Sequence, residues 1–121
     1  MTEKERWQVI LFLKLFKETA AQQFVFAERA TTLSTVGTLG IMLGQAKECV
    51  LGLTEEDYYR GPITDKSHRG GEYWEFGAIV QGREVFIKLK VDTVNHVAIC
   101  FSFHFPNAPI VYPYGCDRGT K

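Results

Sequence analysis

The sequence predicts an α+β fold, N-terminal helices packed on one face of a small antiparallel sheet, and three features carry that expectation. Apolar residues recur at helical spacing through residues 3–20. Later stretches alternate apolar and polar residue by residue, the period of a half-buried strand. Helical patterns come first and alternating strands last, an order that segregates helices to one sheet face and leaves the other open. The 121 residues and 13.8 kDa suit a single domain with one core.

Thr2 and Glu5 form a T-x-x-E capping box, which gives partners to otherwise free N–H groups at a helix start. A helix over about 3–20 follows, with Val9, Leu13, Phe16 and Ala20 on one stripe, widened by Ile10 and Phe12. Trp7, Leu11 and Leu15 lie on its other side. That helix is either wedged between the sheet and a second helix, or it offers a partner or self-association surface. Residues 24–28 form a short strand, and Thr31 or Thr32 caps a second helix ending near Gly40. A third helix covers about 43–51, and Thr54-Glu-Glu-Asp57 caps one further turn through Tyr58 and Tyr59 that stops before Gly61-Pro62.

Residues 62–71 read as a polar loop. Three strands come next, at about 72–80, 84–91 and 97–105, joined by hairpin turns at Gln81-Gly82 and 92–95. The tail, 106–121, carries Pro106, Pro109 and Pro113 and is expected to pack Ile110, Val111 and Tyr112 as an irregular or edge segment.

Lys and Arg number 14 and Asp and Glu 14, so no global basic signature marks a nucleic-acid binder, although one face can still be locally basic. Cys49, Cys100 and Cys116 are an odd set without a CxxC pair, which points to a reducing, cytoplasmic setting rather than a disulfide framework. The run Val9–Leu13 is cut by Lys14, too short for a membrane span and wrongly flanked for a signal peptide.

The alternation also sorts chemistry. Val85, Ile87, Leu89 and Val91 share one face, opposite Glu84, Phe86, Lys88 and Lys90. In the next strand Val97, Ile99, Phe101, Phe103 and Phe105 are expected to face the core, opposite His96, Ala98, Cys100, Ser102 and His104. Glu75 projects with Tyr73 and Gly77, away from Trp74, Phe76, Ala78 and Val80. The open face therefore collects Glu75, Lys88, Lys90, Ser102 and His104. A carboxylate and an imidazole flanked by cations suit metal-free RNA cleavage: a base takes the 2′-hydroxyl proton, an acid protonates the leaving 5′-oxygen, and cations steady the phosphoryl oxygens. Arg60 can grip the same phosphate bidentately, and Tyr59, Tyr73 and Phe86 can stack on bases.

Plainer roles exist for each residue. Lys90 reads most simply as a solvated strand residue, and Glu75 with Lys88 as a cross-strand ion pair. No metal or other cofactor is expected, because His96, Cys100 and His104 are spaced by four along a strand, about 13 Å per step. The same spacing removes a Cys100–His104 nucleophile pair. Gly70-Gly71 has no strand before it and no helix after it, so it is not a phosphate-binding fingerprint.

The stretch LGLTEEDYYR over residues 51–60, Tyr73-Trp74-Glu75, EVFIKLKV over 84–91 and Ser102-Phe103-His104 together resemble the MqsR-type toxins of bacterial toxin–antitoxin systems. The resemblance covers about 50–104; the N-terminal helices match only in the order of elements. It implies a RelE-like ribonuclease fold, cleavage of messenger RNA, and a cognate antitoxin as protein partner. The family's cation after the aromatic pair is Arg60 here. Glu75 stands where better-studied members have an amide, Phe86 where they have a catalytic tyrosine, and His104 where they have a lysine. The first expected function is thus a metal-independent endoribonuclease toxin, with Glu75, His104, Arg60 and Lys88 catalytic and Tyr59, Tyr73, Phe86 and Ser102 on the substrate. The second is a non-catalytic relative that binds RNA or protein through the same face, which the missing hydroxyl at Phe86 and the zero net charge favour. A third is a structural subunit that self-associates through its apolar first helix.

Overall fold

A computed structural model describes residues 3–67 and 70–115. Three helices, α1 (Glu3–Ala20), α2 (Arg29–Leu39) and α3 (Leu43–Leu51), accompany five strands: β1 (Phe24–Phe26), β2 (Tyr58–Thr64), β3 (Glu72–Val80), β4 (Arg83–Asp92) and β5 (Val97–His104). The strands form one sheet in the order β1-β5-β4-β3-β2. Pairing is antiparallel from β2 to β5, while β1 lies parallel to β5, so the sheet is mixed rather than a purely antiparallel meander.

The largest departure from the sequence reading is β2. Thr54 does cap a short 3-10 turn, Glu55–Asp57, accepting from the Glu56 N–H while the Asp57 carboxylate accepts from the Thr54 N–H. The chain then becomes extended at Tyr58 instead of continuing a helical turn. The strand runs through Gly61-Pro62 into what reads as loop. An edge strand tolerates Pro62 because one row of its backbone groups needs no partner. Gly61 supplies the remaining freedom, since its φ of 136° and the Trp74 Cα only 3.0 Å from where a Cβ would stand exclude other residues. The polar loop shrinks to 65–71.

The helices cover one face. Val9, Leu13, Phe16 and Ala20 of α1 join Val36 and Leu39 of α2, Ala46 and Val50 of α3, and Trp74, Phe76, Val85, Ile87, Leu89 and Phe103 from the sheet. Phe12 stacks on Trp74 at 4.9 Å between ring centroids, and Phe16 meets the edge of Phe24 at 6.2 Å. α2 starts at Arg29, two residues before the nearer threonine expected to cap it, and its N-cap, Glu28, makes no side-chain cap. Thr32 and Thr35 are instead buried under the helix, so packing rather than capping holds α2. Its C-terminus closes as expected on Gly40, which is left-handed with φ 74°. Thr2, the expected cap of α1, and Cys116 lie outside the described residues.

The outer side of α1 is not wedged under a second helix. Trp7 and Leu11 are 58% and 61% exposed, and Leu15 is exposed with them, which leaves the stripe available for a partner.

A bulge in β5 corrects the facing of half that strand. Lys88 pairs with Ser102 but Leu89 pairs with Cys100, so Phe101 has no partner on β4. One extra residue inverts all that precedes it. Ala98 and Cys100 therefore enter the core, while Ile99 pairs with Lys90 on the opposite face and Phe101 stands outside the core cluster. The Cys100 thiol, pushed up by burial, donates to the Ser102 carbonyl.

The tail crosses the far face. Ile110 and Tyr112 sit over Gly77, where an added Cβ would lie 2.8 Å and 2.3 Å from their side chains, and the Tyr112 hydroxyl donates to Glu84 Oε2 at 2.7 Å. Tyr114 then stacks on Tyr58 at 5.6 Å. Residues 106–115 are irregular as expected, with Ile110 buried and Val111 exposed.

Candidate functional site

Four strands bring four of the expected residues to one level. Arg60 on β2 pairs with Glu75 on β3, Glu75 with Lys88 on β4, and Lys88 with Ser102 on β5. The next level toward the tail holds Gly77, Phe86 and His104, and the level on the other side holds Tyr73, Lys90 and Ile99. All lie on the face away from the helices. Directly paired residues on such a face have Cβ atoms about 4.5–5.5 Å apart and diagonal ones about 7–8 Å. Lys88 is thus flanked directly by Glu75 and diagonally by His104.

Arg60 Nε donates to Glu75 Oε1 at 2.5 Å. The two ends of this pair differ sharply in solvent: the Arg60 side chain is 60% exposed and that of Glu75 only 6%. Glu75's hydrogen bond, then its charge, raise the Arg60 guanidinium above its ordinary value. The buried carboxylate thus anchors a largely exposed cation. Arg60 also lies over Tyr59, 4.9 Å from Cζ to the ring centroid. Tyr59 comes to this point because β2 shifts register there, Tyr58 pairing with Phe76 and Arg60 with Glu75.

Lys88 makes no salt bridge among the described residues; its Nζ lies 4.3 Å from the Tyr73 ring centroid and 5.8 Å from that of Phe101. His104 and Phe86 pack at 5.2 Å between centroids. His104 Nδ1 is 2.9 Å from the Phe105 carbonyl oxygen. A carbonyl only accepts, so Nδ1 carries the proton in that contact and Nε2 is left for other partners.

Lys90 is not the solvated residue its position in the sequence suggests. It is 6% exposed, and Nζ donates to Asp65 Oδ2 at 2.7 Å and to the Gly70 carbonyl, tying the chain just after β2 to the chain just before β3. The Lys90 bond, then those from Ser67, hold the Asp65 carboxyl well below the usual carboxylate range. Because this pKa is depressed on folding, the stability it contributes is complete above the ordinary Asp value of 3.8 and is lost as pH falls below it. The carboxyl carbon of Asp65 should therefore titrate by NMR with a midpoint under 3.8, and Lys90→Met should move that midpoint upward. A wild-type midpoint at or above 3.8 would refute the tether.

The structure brings the expected Arg60, Glu75, Lys88 and Ser102 to one level of the sheet, with His104 one level away. The sequence reading missed Asp65, for which no local pattern gives a signal, and it put Phe101 on the wrong face. Cys100 and His104 fall on opposite sides of the sheet, and His96 sits in the β4–β5 turn with φ 58°. Among the described residues no three His, Cys, Asp or Glu side chains gather closely enough to hold an ion. No described helix is long and apolar enough to cross a membrane. Set against models of protein families, curated proteins and solved structures, the chain matches none of them.

Proposed function

We propose that this protein is the cytoplasmic toxin of a type II toxin–antitoxin system, an mRNA-cutting endoribonuclease of RelE-like fold that works without a metal. The level formed by Arg60, Glu75, Lys88 and Ser102, with His104 diagonal to Lys88, is the observation that carries this reading. A phosphodiester laid over Lys88 meets the Arg60 guanidinium on one side and the imidazole on the other. The Arg60-paired Glu75 carboxylate takes the proton of the 2′-hydroxyl, whose oxygen attacks phosphorus. The P–O5′ bond breaks, and protonated His104 gives its Nε2 proton to the leaving oxygen. Arg60 and Lys88 offset the charge that builds on the non-bridging oxygens. Ser102 lends a hydroxyl at the same level, and Tyr59, Tyr73 and Phe86 offer ring faces for bases. The products are a 2′,3′-cyclic phosphate and a 5′-hydroxyl.

A second reading is favoured by Phe86: without a hydroxyl beside His104, the face serves as a non-catalytic RNA- or protein-binding module. Incubating the protein with a long messenger RNA separates the two. Cleavage that persists in chelator and leaves cyclic phosphate ends is the expected result, and Arg60→Ala should abolish it. Binding without cleavage establishes the second reading, and neither binding nor cleavage excludes both as RNA functions. The antitoxin is the expected protein partner, and the exposed Trp7, Leu11 and Leu15 stripe is the surface through which self-association would proceed.

A further inference from the structure

A cavity of about 640 Å³ opens on the candidate face beside Lys90, between Gly70-Gly71 and the turn that joins β4 to β5. Phe101 and Ile99 form its apolar part, and Thr93 and Asn95 form part of its polar rim. That volume lies within the range of small-molecule sites, large enough for a nucleotide. Its most unusual component is Phe101. Regular alternation would bury this ring with Phe103; the bulge turns it out of the core instead, with the Nζ atoms of Lys88 and Lys90 at 5.8 Å and 5.9 Å from its centroid. Bulges recur beside functional sites because they re-aim a side chain.

Resting on the ribonuclease reading above, we infer that Phe101 and this cavity form a base-binding subsite for one unpaired nucleobase of single-stranded RNA, next to the phosphate over Lys88. Three features favour a base over a peptide side chain. The Phe101 ring centroid lies 5.8 Å from Lys88 Nζ, so a base on the ring and its phosphate on the ammonium belong to one nucleotide. The Lys88 ammonium, which makes no salt bridge among the described residues, suits an anionic backbone passing the ring. The rim is pre-organised for hydrogen bonds: Asp92 accepts from the N–H groups of Val94 and Asn95 and from the Asn95 amide at 2.9–3.0 Å, which fixes the Asn95 side chain at the mouth. Lys90 serves as wall rather than ligand, since Asp65 and Gly70 hold it.

The test uses the full chain and a fluorescein-labelled single-stranded RNA heptamer, followed by anisotropy, with a series of heptamers each carrying one abasic ribose. Stacking of one base on an aromatic ring sets the scale, so Phe101→Leu should weaken binding about 5- to 100-fold and Phe101→Trp should retain it. In the wild type one abasic position should give a comparable loss, and in Phe101→Leu that same position should give none. Equal affinity of Phe101→Leu and wild type, with Arg60→Ala defective, overturns the subsite and leaves the ribonuclease reading standing. A wild type that neither binds nor cleaves RNA overturns that reading itself. A Phe101→Leu defect confined to a protein partner also counts against the base subsite.

Discussion

Replacing His104 with alanine is expected to slow RNA cleavage by about 100- to 10,000-fold, the usual contribution of a positioned proton-transfer group. The fold should tolerate the change. His104 is half-buried on the face away from the core, and the contacts it loses are one ring neighbour, Phe86, and one hydrogen bond to the Phe105 carbonyl. Loss of one such bond costs about 0.5–1.5 kcal/mol. Cleavage rate and melting temperature should therefore separate: a large fall in the first, a fall of a few degrees in the second. RNA affinity should change little, since Arg60 and Lys88 stay in place. Unchanged cleavage in His104→Ala would remove the imidazole from the mechanism, and an equal loss of RNA binding would make it a binding residue instead.

The second large effect concerns stability, and it pits two phenylalanines of one strand against each other. Phe103 is fully buried among the helix-side residues, with its ring 6.4 Å from that of Phe26. Phe103→Ala should cost about 3–5 kcal/mol through lost transfer energy and the cavity left behind. For a domain of this size that is a fall in Tm of about 10–20 °C. Phe101, two positions earlier, makes no part of that core, and Phe101→Ala should cost under about 1 kcal/mol. Strict alternation places both rings inside and predicts similar losses. Thermal or urea unfolding of the two variants side by side decides whether the bulge exists in solution; equal destabilisation would show that it does not.

The elements that were legible in the sequence are those whose stability is written locally. α1 and α3 show a 3.6-residue period, β3 and β4 a two-residue period, and the hairpin between them a Gln81-Gly82 pair with positive φ at both residues. What stayed hidden depends on distant partners. β2 contains Gly61-Pro62, which local rules score as a break, and only its place at the sheet edge makes those residues admissible. Three-residue β1 was visible as apolar, but its parallel pairing with β5 has no local signature. The β5 bulge was hidden for another reason: residues 97–105 alternate so regularly that either register buries apolar groups, and Ala98 and Cys100 fill the core as readily as Ile99 and Phe101 would. Of the candidate site, alternation reveals Glu75, Lys88 and Ser102, whereas Arg60 joins their level only because β2 is a strand. The burial of Lys90 depends on Asp65 folding back from a loop, and the sequence carries no trace of it.

The parallel pairing of β1 with β5 also bears on how the chain is born. Its partners are residues 24–26 and 98–100, so the first strand has no sheet to join until the last strand has left the ribosome. During that interval the apolar stripe of α1, whose Val9, Leu13 and Phe16 end up fully or nearly fully buried, lacks the β5 residues that complete its core. The β3–β4–β5 meander is the portion built from near-neighbour contacts and can assemble by itself once synthesised. The N-terminal third must wait in a compact but unfinished state, exposed to chaperones and to association with other chains. Synthesis therefore finishes the candidate face and the helix-side core together, and a truncated product ending before residue 97 would lack the β5 part of both.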